Sequence, residues 1–448
     1  MQVARERNIR LAPIRKIDSL EKKIRDRSAH LGVIGLGYAG LPLAVEMARQ
    51  GFRVTGIDID GVRVESVNAG ISYISDVANE TLAGLVNKER IRATQSFSAV
   101  ETLDAISICV PTPLRKTKDP DLSYVMVSAE AIRHHLSPGK LIVLESTTYP
   151  GTTREVVLPI LEKSGLKAGE DFFLAYSPER VDTGNEKYTT RNIPKVIGGI
   201  TPRCTAHATV LYQQFLESVV PVSTAESAEM VKLLENTFRN VNIAMANEMA
   251  RMCQKLNINV WEIIEAAKTK PFGFMPFYPG PGLGGGHTPV VSQYLTWKAR
   301  LSGFEPRLIE LASEINSQMP DFTISRVADA LNKQKKFLHG SRVHALGITY
   351  KRDVGDIRDS AALDVVIGLV RNGANVSYTD PYVRETIIDG RVHTSVKMTR
   401  EVLQSSDCVL VLTDHTSFDY SMVVSQSASI LDCRNALKGF SAPNVISL

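Results

Sequence analysis

The chain has 448 residues, 44% hydrophobic and 22% charged, with 52 Lys and Arg against 48 Asp and Glu. That length exceeds what one core usually fills, so two or three domains are expected. A net charge of +4 gives no footing for nucleic acid, and without a run of about 18 apolar residues no segment is expected to cross a bilayer.

Residues 1–29 are rich in arginine and lysine and contain no continuous apolar stretch. They read as a solvated arm or a basic docking segment, not as a secretory signal. The five cysteines (Cys109, Cys204, Cys253, Cys408, Cys433) are odd in number and widely spaced, without a CxxC pair. Reduced thiols in a cytoplasmic protein fit them best, and no metal site is expected.

A first α/β domain is expected over 30–222. Leu31–Gly35 reads as an apolar strand, Leu41–Gln50 as a helix and Arg53–Asp58 as the next strand, which makes one βαβ unit. Further strands are predicted at 105–110, 141–145 and 172–176, and their alternation with helices implies a doubly wound sheet. Gly35-Leu-Gly37-Tyr38-Ala39-Gly40 fits G-x-G-x-x-G between strand and helix, and Asp58 ends the following strand. Such a turn lets a pyrophosphate approach the backbone at a helix N-terminus. Asp58 would accept ribose hydroxyls and repel a 2′-phosphate, which favours NAD; Arg63 keeps NADP open. Val110, Pro111 and Thr112 leave a strand on the same sheet edge, either to line the nicotinamide half of the pocket or as a rigid exit.

A central part is expected over 223–335. From Thr224 to about Lys268 the pattern is helical, without proline or glycine, and Met230, Leu233, Leu234, Phe238, Val241 and Met245 keep the 3.6-residue period. A helix of that length typically joins domains and often packs on its twin in a dimer. A Gly/Pro-rich loop over 271–287 and a helical region over about 292–335 follow. The last domain, 336–448, has predicted strands at 342–347, 375–379, 407–412 and 429–432 and a helix at 361–372, a second, smaller α/β unit.

Several motifs run through this frame: Glu145-Ser-Thr-Thr-Tyr-Pro-Gly-Thr152, Tyr176-Ser-Pro-Glu-Arg-Val181, Glu229–Phe238, Gly280–Leu295 and Tyr350-Lys-Arg-Asp353. Together they resemble the nucleotide-sugar dehydrogenases (the UDP-glucose/GDP-mannose dehydrogenase family), with the closest likeness to the UDP-N-acetylglucosamine 6-dehydrogenase branch. The resemblance covers the chain from about residue 30 to its end. It implies an N-terminal Rossmann NAD-binding domain, a long central helix and a C-terminal Rossmann-like domain for the UDP-sugar. By the same resemblance Thr147, Glu179, Lys232 and Asn236 activate the substrate. Lys232 and Asn236 sit one helical turn apart, suited to an oxyanion, and Glu179 suits a general base. Arg180, Phe277, Tyr278 and Gly284 are implied around the sugar, and Lys351, Arg352 and Arg434 as cations for the diphosphate.

One loop departs from the family. Where the family has its catalytic cysteine this chain has His287, and where the family has an aspartate it has Val291. A shift of one residue puts Thr288 at the cysteine position; no register supplies a sulfur. Taking an alcohol to an acid needs two hydride transfers, the second through a thioester. His287 can act as a general base, or it fills space or binds a sugar hydroxyl. The expectation is an NAD-dependent oxidoreductase on a UDP-hexose whose thioester step is in doubt. The alternatives are a transient-oxidation epimerase or dehydratase, and a non-catalytic binder of NAD and UDP-sugar. A homodimer or higher oligomer is a family-level expectation.

Overall fold

Short strands build the first sheet, and its inner members are closed to solvent on both faces, as expected where helices cover both sides. They are β1 (His30–Ile34), β2 (Arg53–Ile57), β3 (Ile91–Thr94), β4 (Ala105–Ile108), β5 (Leu141–Leu144), β6 (Phe173–Tyr176), β7 (Lys195–Gly199) and β8 (Val219–Pro221). Their order is β3-β2-β1-β4-β5-β6-β7-β8, and every pairing is parallel except β6 with β7. The order reverses at β1, whose chain continues to β2 on one side while β4 lies on the other. A crevice therefore opens at the carboxyl ends of β1 and β4, the place where such sheets take ligands.

The computed structural model describes residues 19–448 apart from Ser75, Lys116, Lys118, Thr183, Gly184, Glu186, Gly286 and His287, and the backbone alone of Thr288, Pro289 and Val290. The expectations for His287, for the side chain of Thr288 and for most of the N-terminal arm lie outside the described residues. Of the arm, Ser19–Arg25 is helical and buries Leu20 and Ile24. Two compact units result: the chain up to Thr112 with Asp121–Lys232, and Pro113–Pro120 with Leu233–Leu448.

The second unit has its own sheet. Its strands are β9 (Arg342–Leu346), β10 (Asn375–Thr379), β11 (Glu385–Ile388), β12 (Arg391–Thr394), β13 (Cys408–Val411), β14 (Ile430–Asp432) and β15 (Val445–Ser447). The parallel order is β10-β9-β13-β14-β15, and β11 with β12 forms a separate antiparallel hairpin. Helices Met319–Lys333 and Ala361–Arg371 pack together beside it. A Cβ on Gly368 would lie 2.4 Å from Ile324 Cδ1, so this crossing depends on glycine.

The long helical run expected over 224–268 is two helices, Ala225–Leu256 and Val260–Lys268. The break needs neither proline nor glycine. Asn257 takes the left-handed conformation at φ 54°, and the Ile258 N–H closes back on the Cys253 carbonyl. The Asn259 side chain then accepts from the N–H groups of Trp261 and Glu262 and starts the next helix. On the long helix Leu233 is buried, whereas Leu234, Phe238, Met245, Met252 and Leu256 form an exposed stripe at helical spacing.

Candidate active site

In the first unit the glycine turn is built as the motif requires. Gly35 leaves β1 at φ 89°, and a Cβ there would stand 2.6 Å from the Cys109 carbonyl oxygen. A Cβ on Gly40 would lie 1.8 Å from the Gly35 carbonyl, while around Gly37 the space is open. The helix Gly40–Arg49 starts without a side-chain cap at Ala39, and Tyr38 is exposed beside it, so its positive end faces the crevice uncovered.

Buried Asp58 accepts the Leu36 N–H at 2.7 Å and the Asp60 N–H at 2.9 Å, bracing the turn from the end of β2. Arg63 lies 3.5 Å from both Asp58 and Asp60. Two carboxylates answer one guanidinium, and the surplus negative charge suits a ribose and repels a 2′-phosphate. An open glycine cradle, an uncapped helix start and this acidic edge fit NAD. Sequence reasoning missed Tyr73, whose hydroxyl donates to the Leu36 carbonyl at 2.7 Å and completes the turn. No local pattern announces it.

Where β4 and β5 end, the Thr112 hydroxyl donates to the Thr147 carbonyl at 2.6 Å, so two of the expected residues meet. Next to them lies a buried charge cluster. Glu179 takes the N–H groups of Arg180 and Val181 on one carboxylate oxygen, each at 2.7 Å. The Lys232 ammonium donates to the Glu179 backbone carbonyl. Burial pushes the Glu179 carboxyl up, but the Lys195 ammonium, the Val181 N–H and the Lys232 charge outweigh it and hold the group below its ordinary range. The Arg180 guanidinium donates to the Pro194 carbonyl at 2.6 Å.

Three members of the cluster were not singled out from the sequence: Glu145, Lys195 and Tyr212. The Lys195 ammonium lies 2.5 Å from one Glu145 oxygen, and the Tyr212 hydroxyl donates to the other. Cys109 feels these charges, yet burial first and Glu145 next push its thiol well above its ordinary value. That disfavours the thiolate which a nucleophilic cysteine needs.

In the second unit the glycine loop is fitted to the second sheet. Cβ atoms on Gly284 and Gly285 would stand 2.7 Å and 2.9 Å from the Tyr350 side chain, and one on Gly280 would stand 2.7 Å from an Arg434 nitrogen. The loop is tied at its start by buried amides. The Gly280 N–H donates to Asn247, Asn247 to Asn316 and Asn316 to Asn240, at 3.0, 2.9 and 2.7 Å. Arg434 donates to the Leu412 carbonyl at 2.8 Å, Arg352 pairs with Asp414, and Lys351 lies beside it in the loop after β9. Phe277 meets Phe238 edge-on at 5.6 Å, and Tyr278 stacks on Trp261 and donates to Glu265. Asn236 follows Lys232 by one helical turn. Val291, in the helix Thr288–Leu301, is fully buried and offers no carboxylate.

Among the described residues no group of His, Cys, Asp or Glu is placed to hold a metal ion, and no helix is long and apolar enough to cross a membrane. Comparison with known proteins matches residues 29–216 to the NAD binding domain of the UDP-glucose/GDP-mannose dehydrogenase family, 226–318 to its central domain and 344–439 to its UDP binding domain. The chain is 35% identical over 391 residues, 86% of each chain, to the UDP-N-acetyl-D-mannosamine dehydrogenase of Methanococcus maripaludis. It is also 35% identical to the UDP-N-acetyl-D-glucosamine 6-dehydrogenase of Pseudomonas aeruginosa, covering 79% of this chain and 83% of that one. The solved structure of the UDP-D-ManNAc dehydrogenase of Pyrococcus horikoshii superposes with a TM-score of 0.85 at 32% identity, over 93% of this chain and 98% of the other.

Proposed function

The chain belongs to the UDP-glucose/GDP-mannose dehydrogenase family, NAD-dependent oxidoreductases that act on the CH–OH group of a nucleotide sugar, and from that premise we propose a narrower reaction. It oxidises an alcohol of a UDP-hexose, of the N-acetylhexosamine or glucose type, to a carbonyl and stops short of the acid. NAD, when bound, accepts the hydride. The hydroxyl proton passes to Glu179, and the Lys232 ammonium and the Asn236 amide stabilise the developing alkoxide.

The observation that carries this reading is the Lys232 ammonium held at the Glu179 backbone carbonyl, beside that residue's carboxylate, in a chain that has no sulfur over 280–295. A protein that only binds its ligands has no use for a base beside an alkoxide site. The second half of the family chemistry needs a thiolate, and Cys109, the thiol beside the cluster, is buried where the thiolate is disfavoured. His287, in this reading, serves the bound sugar as a base or a hydrogen-bond partner. All five cysteines are buried and without disulfides, in keeping with a cytoplasmic enzyme. The exposed stripe on the long helix is the face we assign to a second copy, and a solution mass of twice the chain's would establish it.

The experiment is incubation with UDP-N-acetylglucosamine, UDP-N-acetylmannosamine or UDP-glucose and NAD, counting NADH and weighing the nucleotide sugar. One NADH per sugar and a loss of about 2 mass units are expected. A gain of about 14 units with two NADH would mean that acid forms without the cysteine and would overturn the proposal. An altered sugar without net NADH would instead point to a hydride that is returned.

A further inference from the structure

We infer that Lys195 is a positioning residue of the reaction: its buried ammonium, held between Glu145 and Glu179, keeps Glu179 aimed and ionised for the proton of the substrate hydroxyl. This rests on the oxidation proposed above. The geometry within the first unit carries it. Lys195 opens β7, and its side chain is 7% exposed. Its nitrogen stands 2.5 Å from Glu145 Oε2 and 3.7 Å from Glu179 Oε2.

These two distances divide the labour. Glu145 is saturated, one oxygen taken by Lys195 and the other by the Tyr212 hydroxyl, which also lies 3.2 Å from the Ser107 hydroxyl. It is an anchor. Glu179 has Oε1 occupied by two backbone N–H groups, and its Oε2 is beyond hydrogen-bond reach of the ammonium. Among the described residues Oε2 is therefore the oxygen left to accept a proton, and it does so beside a cation that favours its charged form.

The charges also balance. Glu145 and Glu179 face Lys195 from β7 and Lys232 from the long helix, while Cys109 after β4 and Tyr212 contribute neutral groups held protonated by burial. Without Lys195, the buried Glu145 and the partly buried Glu179 would lose the cation between them, and Glu179 would take up a proton more readily before the substrate offered one. In the reaction the O–H proton moves to Glu179 as the carbon-bound hydrogen leaves with its electron pair for NAD. Lys195 exchanges no proton; it sets the pH at which Glu179 is ready.

The test is the pH profile of kcat/KM with UDP-N-acetylglucosamine and NAD in Lys195→Gln, Lys195→Arg and Glu145→Gln proteins, alongside Glu179→Gln to assign the acid limb. Lys195→Gln is expected to move that limb up by about 1–2 pH units and so to lower kcat/KM about 10–100-fold at pH values below the wild-type limb, with KM for NAD unchanged. Lys195→Arg restores the limb. Glu145→Gln, which leaves the ammonium to Glu179 alone, moves it the opposite way. An acid limb unmoved in both Lys195→Gln and Glu145→Gln would overturn the inference and leave Lys195 as a buried structural cation. Should Lys195→Gln not fold, the downward shift in Glu145→Gln decides alone. If the wild-type protein oxidises no UDP-hexose, the functional reading falls, and infrared titration of the Glu179 carboxyl in the same variants still judges Lys195.

Discussion

The two α/β units solve one problem with one frame and two different fittings. In each, the central strand ends in a glycine with positive φ, Gly35 at 89° and Gly347 at 78°. In each, the next strand ends in an aspartate that accepts the N–H of the residue after that glycine. Asp58 takes Leu36 at 2.7 Å, and Asp380 takes Ile348 at 2.8 Å. A Cβ on either glycine would strike the exit of the neighbouring strand, Cys109 in one unit and Thr413 in the other. After this shared corner the units part. The first turns straight into a helix and presents backbone N–H groups. The second inserts Ile348–Ser360 before its helix and presents Lys351 and Arg352, with Arg434 from beyond β14.

The difference teaches how a frame is specialised. A glycine-lined helix start reads only phosphate and backbone shape, whereas a basic loop adds charge and reach. The second loop is itself braced: His415 is fully buried, accepts the Asp353 N–H on one ring nitrogen at 3.0 Å and faces Asp380 with the other at 3.2 Å.

The comparison breaks most sharply at the two glycines. Gly35→Val should weaken NADH binding by about 100-fold or more while UDP still binds the second unit, and Gly347→Val should do the reverse. Calorimetric titration of both variants with both ligands checks it; equal losses for both ligands in either variant would mean that the corners do not serve separate nucleotides. A smaller effect separates the sheets themselves. Burial first, with Arg53 and Arg92 adding to it, drives His30 on β1 down to about 4, and burial alone drives His344 on β9 down to about 4. Both stay neutral in the folded chain while the unfolded chain charges them near pH 6.5. Their stability is therefore complete above about pH 6.5 and is lost as pH falls toward 4, by about 1.4 kcal/mol per pH unit for each histidine. Melting curves over that range should flatten in His30→Gln and His344→Gln proteins, each by one histidine's share.

Much of this was legible in the sequence because it is local. The glycine triplet, the apolar strands around it and Asp58 all lie within one βαβ unit, and the fold class follows from their alternation. The edge strands were not legible: β3 alternates buried and exposed residues over four positions, and β8 ends on Pro221. The helix break at Asn257 was hidden because asparagine, which tolerates the left-handed conformation, also sits quietly inside helices. The Lys195 cluster escaped for a different reason. A charge at the start of a strand reads as a solvent-facing residue, and its partners Glu145 and Tyr212 are brought in from other elements by the sheet order. The common corner of the two units escaped too, since it rests on a glycine and an aspartate separated by different lengths of chain.

Val291 limits what its own place in the helix can hold. Its side chain is sealed from water. A carboxylate introduced there would surrender its hydration, which favours the neutral acid over the charged form. The position accepts an apolar side chain freely and an ionised one only if a partner is supplied with it.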